Sequence, residues 1–381
     1  MRGGNLRDRG RVQNGIDPVM VGENSRGSPG PPARFGAVAR STLPGGASGS
    51  ELPANLDATW PGGGLTAGLA RPWMSPLNFP TVCRAWAVPL RFIPLVWFGA
   101  MIGAPIAFSA AAKPNIVVVL ADQWRAQAFG FAGDPNVKTP HFDRLAGESV
   151  RLVNAVSGLP VCSPMRASLL TGQRPLTHGV FLNDVQLNTN AVTIAKVLKA
   201  AGYDTAMIGK WHIDGRGRSS YIPPERHQGF DYWKVLECTH NYTNSFYYTD
   251  DPVRQTWADE YDAISQTRDA GNYIRSHANS PRPYVLFLAW GPPHDPYFSA
   301  PERYRALYNP AGLVLRPNIP AGLEGEVRKM MAGYYAHCTA LDDCMGELLK
   351  ALGETGAAEN TVLLFSADHG DMLGSQGQFK K

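Results

Sequence analysis

"NIVVVLADQ", residues 115–123, decides the fold. From Ile116 to Ala121 the run is apolar and mostly β-branched, with no polar alternation. A strand with one wet face alternates; a strand buried on both faces does not. Such strands belong to parallel sheets covered by helices. "YVLFLAW" (284–290) and "NTVLLFSA" (360–367) have the same character and read as further buried strands; "YDTAMIG" (203–209) and "RLVNAVS" (151–157) also read as strands. Between them lie helical patterns. "HFDRLAGESV" starts at residue 141, "PMRASLLTG" ends at Gly172, "AVTIAKVLKAAG" is closed by Gly202, and a long helix covers 325–352. The alternation predicts an α/β fold, a large, mainly parallel sheet flanked by helices, with no internal repeat. In such sheets chemistry sits beyond the carboxyl ends of the strands.

Upstream the character changes. Residues 1–83, with stretches such as "RGSPGPPARFG", bury too little apolar surface to offset their ordering entropy, and read as a disordered or untranslated tail, with Met74 as an alternative start. Residues 84–112 run from Arg84 and Arg91 through an apolar stretch to the small residues Ser109–Ala112. That is the order of a signal peptide, cleaved near Ala111 or Ala112, and it predicts export. Pro94 and Pro105 speak against a lasting membrane span, so no stable membrane insertion is expected after cleavage. The domain proper is 113–381.

Of 381 residues, 44% are hydrophobic and 18% charged, ordinary for a globular protein. The net charge of +4 is unevenly placed. Residues 1–91 hold ten arginines against five acidic residues; the remainder has 26 basic and 27 acidic residues, which gives no electrostatic case for nucleic acid. Five cysteines lack metal-ligand spacing, and Cys338 and Cys344 face different sides of one helix, poorly placed to pair.

The carboxyl ends of the strands lead into Asp122 and Gln123, Lys210 and His212, His294, and Asp368 and His369. Carboxylates suit a hard cation such as Ca²⁺ or Mg²⁺, and Lys210 with Arg166 suits an anionic substrate. Singly each has a plain reading: a helix cap, a satisfied loop histidine, a turn residue before Gly370. Their joint occurrence at strand ends points to a site. "VCSPMRASLLTG" (161–172) adds a cysteine at a helix start, four residues before an arginine.

In that last stretch "CSPMRASLLTG" resembles the signature of the sulfatase family, within the alkaline phosphatase-like superfamily, and the resemblance runs from Asn115 to the C-terminus. "LADQ" resembles the first metal motif, with Gln123 where relatives commonly have Asp. "GKWHIDG", "GPPHDPY" and "SADHGDMLGS" are similar to the motifs that carry Lys210 and His212, His294, and Asp368 with His369. Ser375-Gln376-Gly377 stands where many relatives read Ser-His-Gly. The resemblance implies that Cys162 is converted to Cα-formylglycine by a maturation enzyme. It implies a divalent metal, Ca²⁺ with Mg²⁺ or Mn²⁺ as alternatives, on Asp122, Gln123, residue 162, Asp368 and His369. Hydrated formylglycine 162 would attack the sulfur of a sulfate ester; Arg166 would polarise it and shape the helix entry. Lys210 and Lys381 (or Lys380) would hold sulfate oxygens. His212 would take the proton that frees the sulfate, and His294 would protonate the leaving oxygen. The expected activity is sulfate ester hydrolysis on a sulfated small molecule or glycan. The alternatives are a phosphodiesterase or phosphonate monoester hydrolase of the same superfamily, or an inactive relative that only binds. "CTHNYTNSFYYTDDPV" (238–253) reads either as a sugar-binding segment or as a loop packed on its own aromatics; Asn241 heads a glycosylation sequon. The family continues past the last motif, so the resemblance also implies a missing C-terminal part, apolar surface uncovered near the last strand, Lys381 on a frayed end and a pocket open on one side.

Overall fold

The computed structural model describes residues 113–258 and 261–381. The tail and the signal-like segment lie outside these residues. The strands are β1 (Asn115–Asp122), β2 (Asp204–Lys210), β3 (Tyr232–Leu236), β4 (Phe246–Tyr247), β5 (Gln255–Thr256), β6 (Tyr284–Pro293) and β7 (Thr361–Ala367). The helices are α1 (Pro140–Gly147), α2 (Cys162–Thr171), α3 (Pro175–His178), α4 (Ile194–Ala200), α5 (Asp262–Ser276), α6 (Glu302–Arg305) and α7 (Glu324–Glu354). Five strands form one sheet in the order β3-β2-β6-β1-β7, every pairing parallel; β4 and β5 make a separate antiparallel pair.

The unbroken apolar runs are explained by what covers them. Val117, Val119 and Ala121 of β1 join Leu286, Leu288 and Trp290 of β6 under α5 and α7. Val118 and Leu120 face the other way, packing with Phe287, Met207 and the α2 and α4 residues Ala167, Leu170 and Ala195. Burying one such side chain is worth about 1.5–3 kcal/mol, so the two-sided core fixes the sheet in place. All ten residues of β6 are buried. Among the described residues no helix is long and apolar enough to cross a membrane.

Two sequence expectations fail for physical reasons. Residues 151–157 form no strand, and the nearby Val150, Leu152, Val153 and Val156 are exposed. A strand needs a neighbour to exchange backbone hydrogen bonds, and among the described residues none lies beside this segment. β7 is an edge strand rather than a buried one. Leu363 and Phe365 pack on the core while Val362 and Leu364 are half exposed, the uncovered apolar surface expected there. Cys162, Cys238, Cys338 and Cys344 are all free and buried.

The sheet order sets the site. β2, β6, β1 and β7 lie side by side, and their carboxyl ends deliver Lys210, His294, Asp122 and Asp368 in that order. Asp122 is in register with Pro293 and Ala121 with Ala367. Gly209 lets β2 run close to β6 just before Lys210. Its φ is +101°, and a Cβ there would stand 2.1 Å from the Ala289 carbonyl oxygen.

Candidate active site

Cys162 is the first residue of α2, where unpaired N–H groups carry partial positive charge. The Ser163 N–H is taken up by Asn183 Oδ1 at 3.0 Å. Around Cys162 Sγ stand His369 Nε2 at 3.3 Å, Lys381 Nζ at 3.4 Å, Asp122 Oδ1 at 3.6 Å and Lys210 Nζ at 3.9 Å. Three regions far apart in sequence, around residues 122, 210 and 369–381, thus converge on one sulfur. Burial and the Asp122 carboxylate push the thiol up to about 12, outweighing Lys210. At neutral pH the unmodified side chain is therefore a protonated, weak nucleophile.

Arg166 sits one helical turn on. Its guanidinium bridges both carboxylates: Nη2 lies 3.2 Å from Asp122 Oδ2 and 3.1 Å from Asp368 Oδ2, and Nη1 donates to the Lys210 carbonyl at 2.8 Å. The expected contact with the nucleophile is absent among the described residues; Arg166 clamps the acids instead. Lys210 Nζ also bonds Asp122 Oδ2. Burial alone would raise Asp122, but Lys210 and then Arg166 hold it well below the usual carboxylate range. Burial would lower Lys210, but Asp122 more than offsets it, so the ammonium stays charged.

With the Oδ2 atoms so engaged, the Oδ1 atoms of Asp122 and Asp368 face His369 Nε2, each at 3.5 Å. Donor atoms of Asp122, Cys162, Asp368 and His369 all lie within 4.8 Å of one another and are buried. Two carboxylate oxygens, an imidazole nitrogen and the position-162 side chain fit a divalent cation. Gln123 belongs to the same centre. Its Nε2 bonds Asp371 Oδ2 at 2.6 Å, and its Oε1 faces Lys381 Nζ at 3.2 Å.

His212 and Gln123, each placed just after a strand, hold positive φ of 61° and 66°. Such backbones cost about 1–3 kcal/mol and cluster at functional sites. His212 Nε2 is paired with Asp184 Oδ1 at 3.1 Å, and Arg218 grips the same carboxylate at 3.1 and 2.8 Å. Nδ1 of His212 is buried without a partner. Burial, with Lys210 and Arg166 nearby, lowers His212 to about 2. His294 is lowered to about 3, first by burial and then by Lys210 and Lys381. Its Nδ1 donates to the Asp295 carbonyl at 3.0 Å, so Nε2 offers its lone pair to Lys381 Nζ at 2.9 Å.

Asp122, Cys162, Arg166, Lys210, Asp368, His369 and Lys381 meet around this centre, Gln123 and His294 join it through Lys381, and His212 pairs with Asp184. Lys381, expected on a frayed end, is held: Lys380 N–H donates to Asp371 Oδ1 and Met372 N–H to the Lys380 carbonyl. The side chain of Lys380 itself turns away to Asp295. Ser375–Gly377 forms a tight turn held by Arg125 on Ser375 Oγ. Part of the 238–253 segment packs inward. Tyr242 and Phe246 are buried, whereas exposed His240 stacks on His294 at 4.6 Å, 12° from parallel. Sequence reasoning misses Asp184, Arg218, Tyr297, His240 and Asp371. Asp371, inside "DHGD", Tyr297, inside "GPPHDPY", and His240, inside the aromatic segment, sit where motifs draw attention.

The family model described as Sulfatase matches residues 114–381. The chain belongs to the sulfatase family. It is 49% identical over 263 residues to an ulvan-active sulfatase of Formosa agariphila, covering 69% of this chain and 52% of that protein. It is 32% identical over 310 residues to an endo-4-O-sulfatase of Bacteroides thetaiotaomicron, covering 70% and 60%. The crystal structure of the putative sulfatase YidJ from Bacteroides fragilis superposes with a TM-score of 0.67 at 31% identity, over 73% of this chain and 66% of that one. The chain thus spans about half to three fifths of the length of these curated relatives.

Proposed function

We propose that this sulfatase-family protein hydrolyses sulfate esters of a carbohydrate at the centre around position 162. The observation that carries the reading is the ring about Cys162 Sγ: two ammonium groups, a buried carboxylate and an imidazole, all within 3.9 Å, at a helix N-terminus. Two curated relatives named for polysaccharide or sugar sulfate chemistry support the substrate class.

A sulfate ester is an anion that repels nucleophiles, so the site must neutralise it before attack. The aldehyde formed from Cys162 by a maturation enzyme supplies, when hydrated, an oxygen nucleophile that can afterwards release sulfate. A divalent cation, Ca²⁺ with Mg²⁺ or Mn²⁺ as alternatives, supplies positive charge against the sulfate oxygens; Asp122, Gln123, Asp368, His369 and residue 162 would hold it. The remaining work falls to this chain's side chains. Lys210 and Lys381 hold sulfate oxygens by charge-assisted hydrogen bonds. Arg166 helps keep Asp122 ionised and holds both Asp122 and Asp368 in place. Asp184 fixes the His212 tautomer with the proton on Nε2, leaving Nδ1 as the base. In the free site His294 is neutral, with its Nε2 lone pair toward Lys381 Nζ. The Lys381–His294 pair is then the proton source for the leaving oxygen. Residues 84–112 support export, which would bring the enzyme to an extracellular or periplasmic glycan.

The test is sulfate release by the full chain, co-expressed with a formylglycine-installing enzyme, from a panel of sulfated glycans and an aryl phosphodiester. Release from a glycan sulfate in preference to the diester supports the reading. A preference for the diester would move the protein to the phosphodiesterase class, and no turnover after verified conversion at position 162 would sink the catalytic claim.

A further inference from the structure

Asp371 is buried in the loop after β7, 3% exposed, and among the described residues no lysine or arginine pairs with its carboxylate. Four hydrogen bonds replace the missing cation. Oδ2 accepts from Gln123 Nε2 at 2.6 Å and from the Tyr297 hydroxyl at 2.5 Å; Oδ1 accepts from the Leu373 N–H at 2.8 Å and the Lys380 N–H at 3.2 Å. A carboxylate has about four lone-pair sites, and all are used.

This has a directional consequence. An amide has a donor end and an acceptor end. Facing a carboxylate at 2.6 Å, only the donor end is tolerated, because Oε1 there would set two acceptors against each other. The Gln123 carbonyl must therefore point the opposite way, toward Lys381 Nζ, which lies 3.4 Å from Cys162 Sγ. Meanwhile Oδ1 of the same Asp371 anchors the backbone of Lys380, next to Lys381. One carboxylate fixes both the polarity of Gln123 and the seat of Lys381.

We propose that Asp371 is a positioning residue: by holding the Gln123 Nε2 group and the Lys380 N–H together, it makes Gln123 an oxygen donor to the active centre and delivers Lys381 to the same point. Where many relatives place an acidic residue at position 123, this chain obtains the oxygen from an amide whose orientation is set from behind. The cation to which that oxygen would be offered rests on the proposed function; the orientation itself does not.

The test exchanges the polarity of the pair. In D371N the new amide can still accept Leu373 N–H and Lys380 N–H through its oxygen, but its NH₂ then faces the NH₂ of Gln123, which must flip and turn its nitrogen toward Lys381. In Q123E two carboxylates face each other. In D371N/Q123E the asparagine NH₂ donates to the glutamate and an oxygen again faces Lys381. The full chain is used throughout. In EDTA each single variant is expected to melt lower, by about 3 °C, and the double variant to melt above either single. Independent, additive losses would overturn the proposal, because they would show that the relative polarity of the two side chains does not matter. Calorimetry with Ca²⁺ alone supplies the second reading: affinity about tenfold weaker in D371N and recovered in the double variant. Unchanged affinity in D371N would overturn the donor claim. No Ca²⁺ binding by the wild-type chain would count against the proposed function, while the EDTA cycle would still decide the orientation.

Discussion

Arg166→Met removes one of two cations that balance two carboxylates. Asp122, Asp368, Arg166 and Lys210 are each at most 5% exposed, and of the lysines and arginines among the described residues Arg166 alone pairs with both acids. Its loss leaves one buried negative charge uncompensated and the Lys210 carbonyl without its Nη1 donor. Removing one partner of a buried pair costs about 3–5 kcal/mol, much of it the penalty on the charge left behind. The expected loss in EDTA is therefore about 4 kcal/mol, read from urea unfolding as a lower midpoint with an unchanged slope. A cation bound between the acids restores the charge balance; at a hundredfold above Kd it returns about 2.7 kcal/mol to either protein, and the variant, its site more negative by one charge, binds it more tightly and gains more at the same concentration. The stability gap between variant and wild type should thus be widest in EDTA and narrow in saturating Ca²⁺. A loss below about 1 kcal/mol in EDTA, or a gap indifferent to Ca²⁺, would refute the view that the acids are held by this clamp and open to a metal.

Glu237 and Asp184 extend the reasoning beyond the centre. Glu237 Oε1 accepts the N–H groups of Asp214 and Gly215 while Oε2 has no partner, and burial raises the group from 4.5 to about 7. The folded state thus tolerates this carboxyl below pH 4.5 and is increasingly penalised as pH rises through 7, by up to about 3 kcal/mol. Glu237→Gln should be neutral at pH 4.5 and raise the unfolding midpoint at about pH 8; an equal effect at both pH values would contradict the burial argument. Asp184→Asn should lower kcat about 10- to 100-fold with little change in KM, because it loosens the His212 tautomer rather than a substrate contact. A change confined to KM would place Asp184 on the substrate instead.

The strands and their ends are legible in the sequence because their signal is local. β1 and β6 announce burial on both faces by composition; β1 ends on Asp122 and β6 leads into His294. Residues 151–157 mislead for the same reason: a β-branched pattern makes a strand only where a partner edge exists. The four-residue spacing from Cys162 suggests the nucleophile as the partner of Arg166. Its true partners, Asp122 and Asp368, arrive from β1 and β7 and cannot be seen in a linear motif. Asp184 and Asp371 act through other residues: nothing in its own neighbourhood marks Asp184, and the motif that holds Asp371 draws the eye to Asp368 and His369 instead. The polarity that Asp371 imposes on Gln123 spans 248 positions of sequence.

The central claim is that position 162 carries the nucleophile and needs its aldehyde form only to release sulfate. The most direct measurement is mass spectrometry of the peptide containing position 162 from C162S incubated with a sulfate ester substrate. A serine hydroxyl at the N-terminus of α2, ringed by Lys210, Lys381 and the donor cluster, can accept sulfate but has no second hydroxyl with which to expel it. The account predicts one SO₃ group trapped at position 162 and a single turnover. An unmodified peptide together with continuous sulfate release by C162S would contradict it.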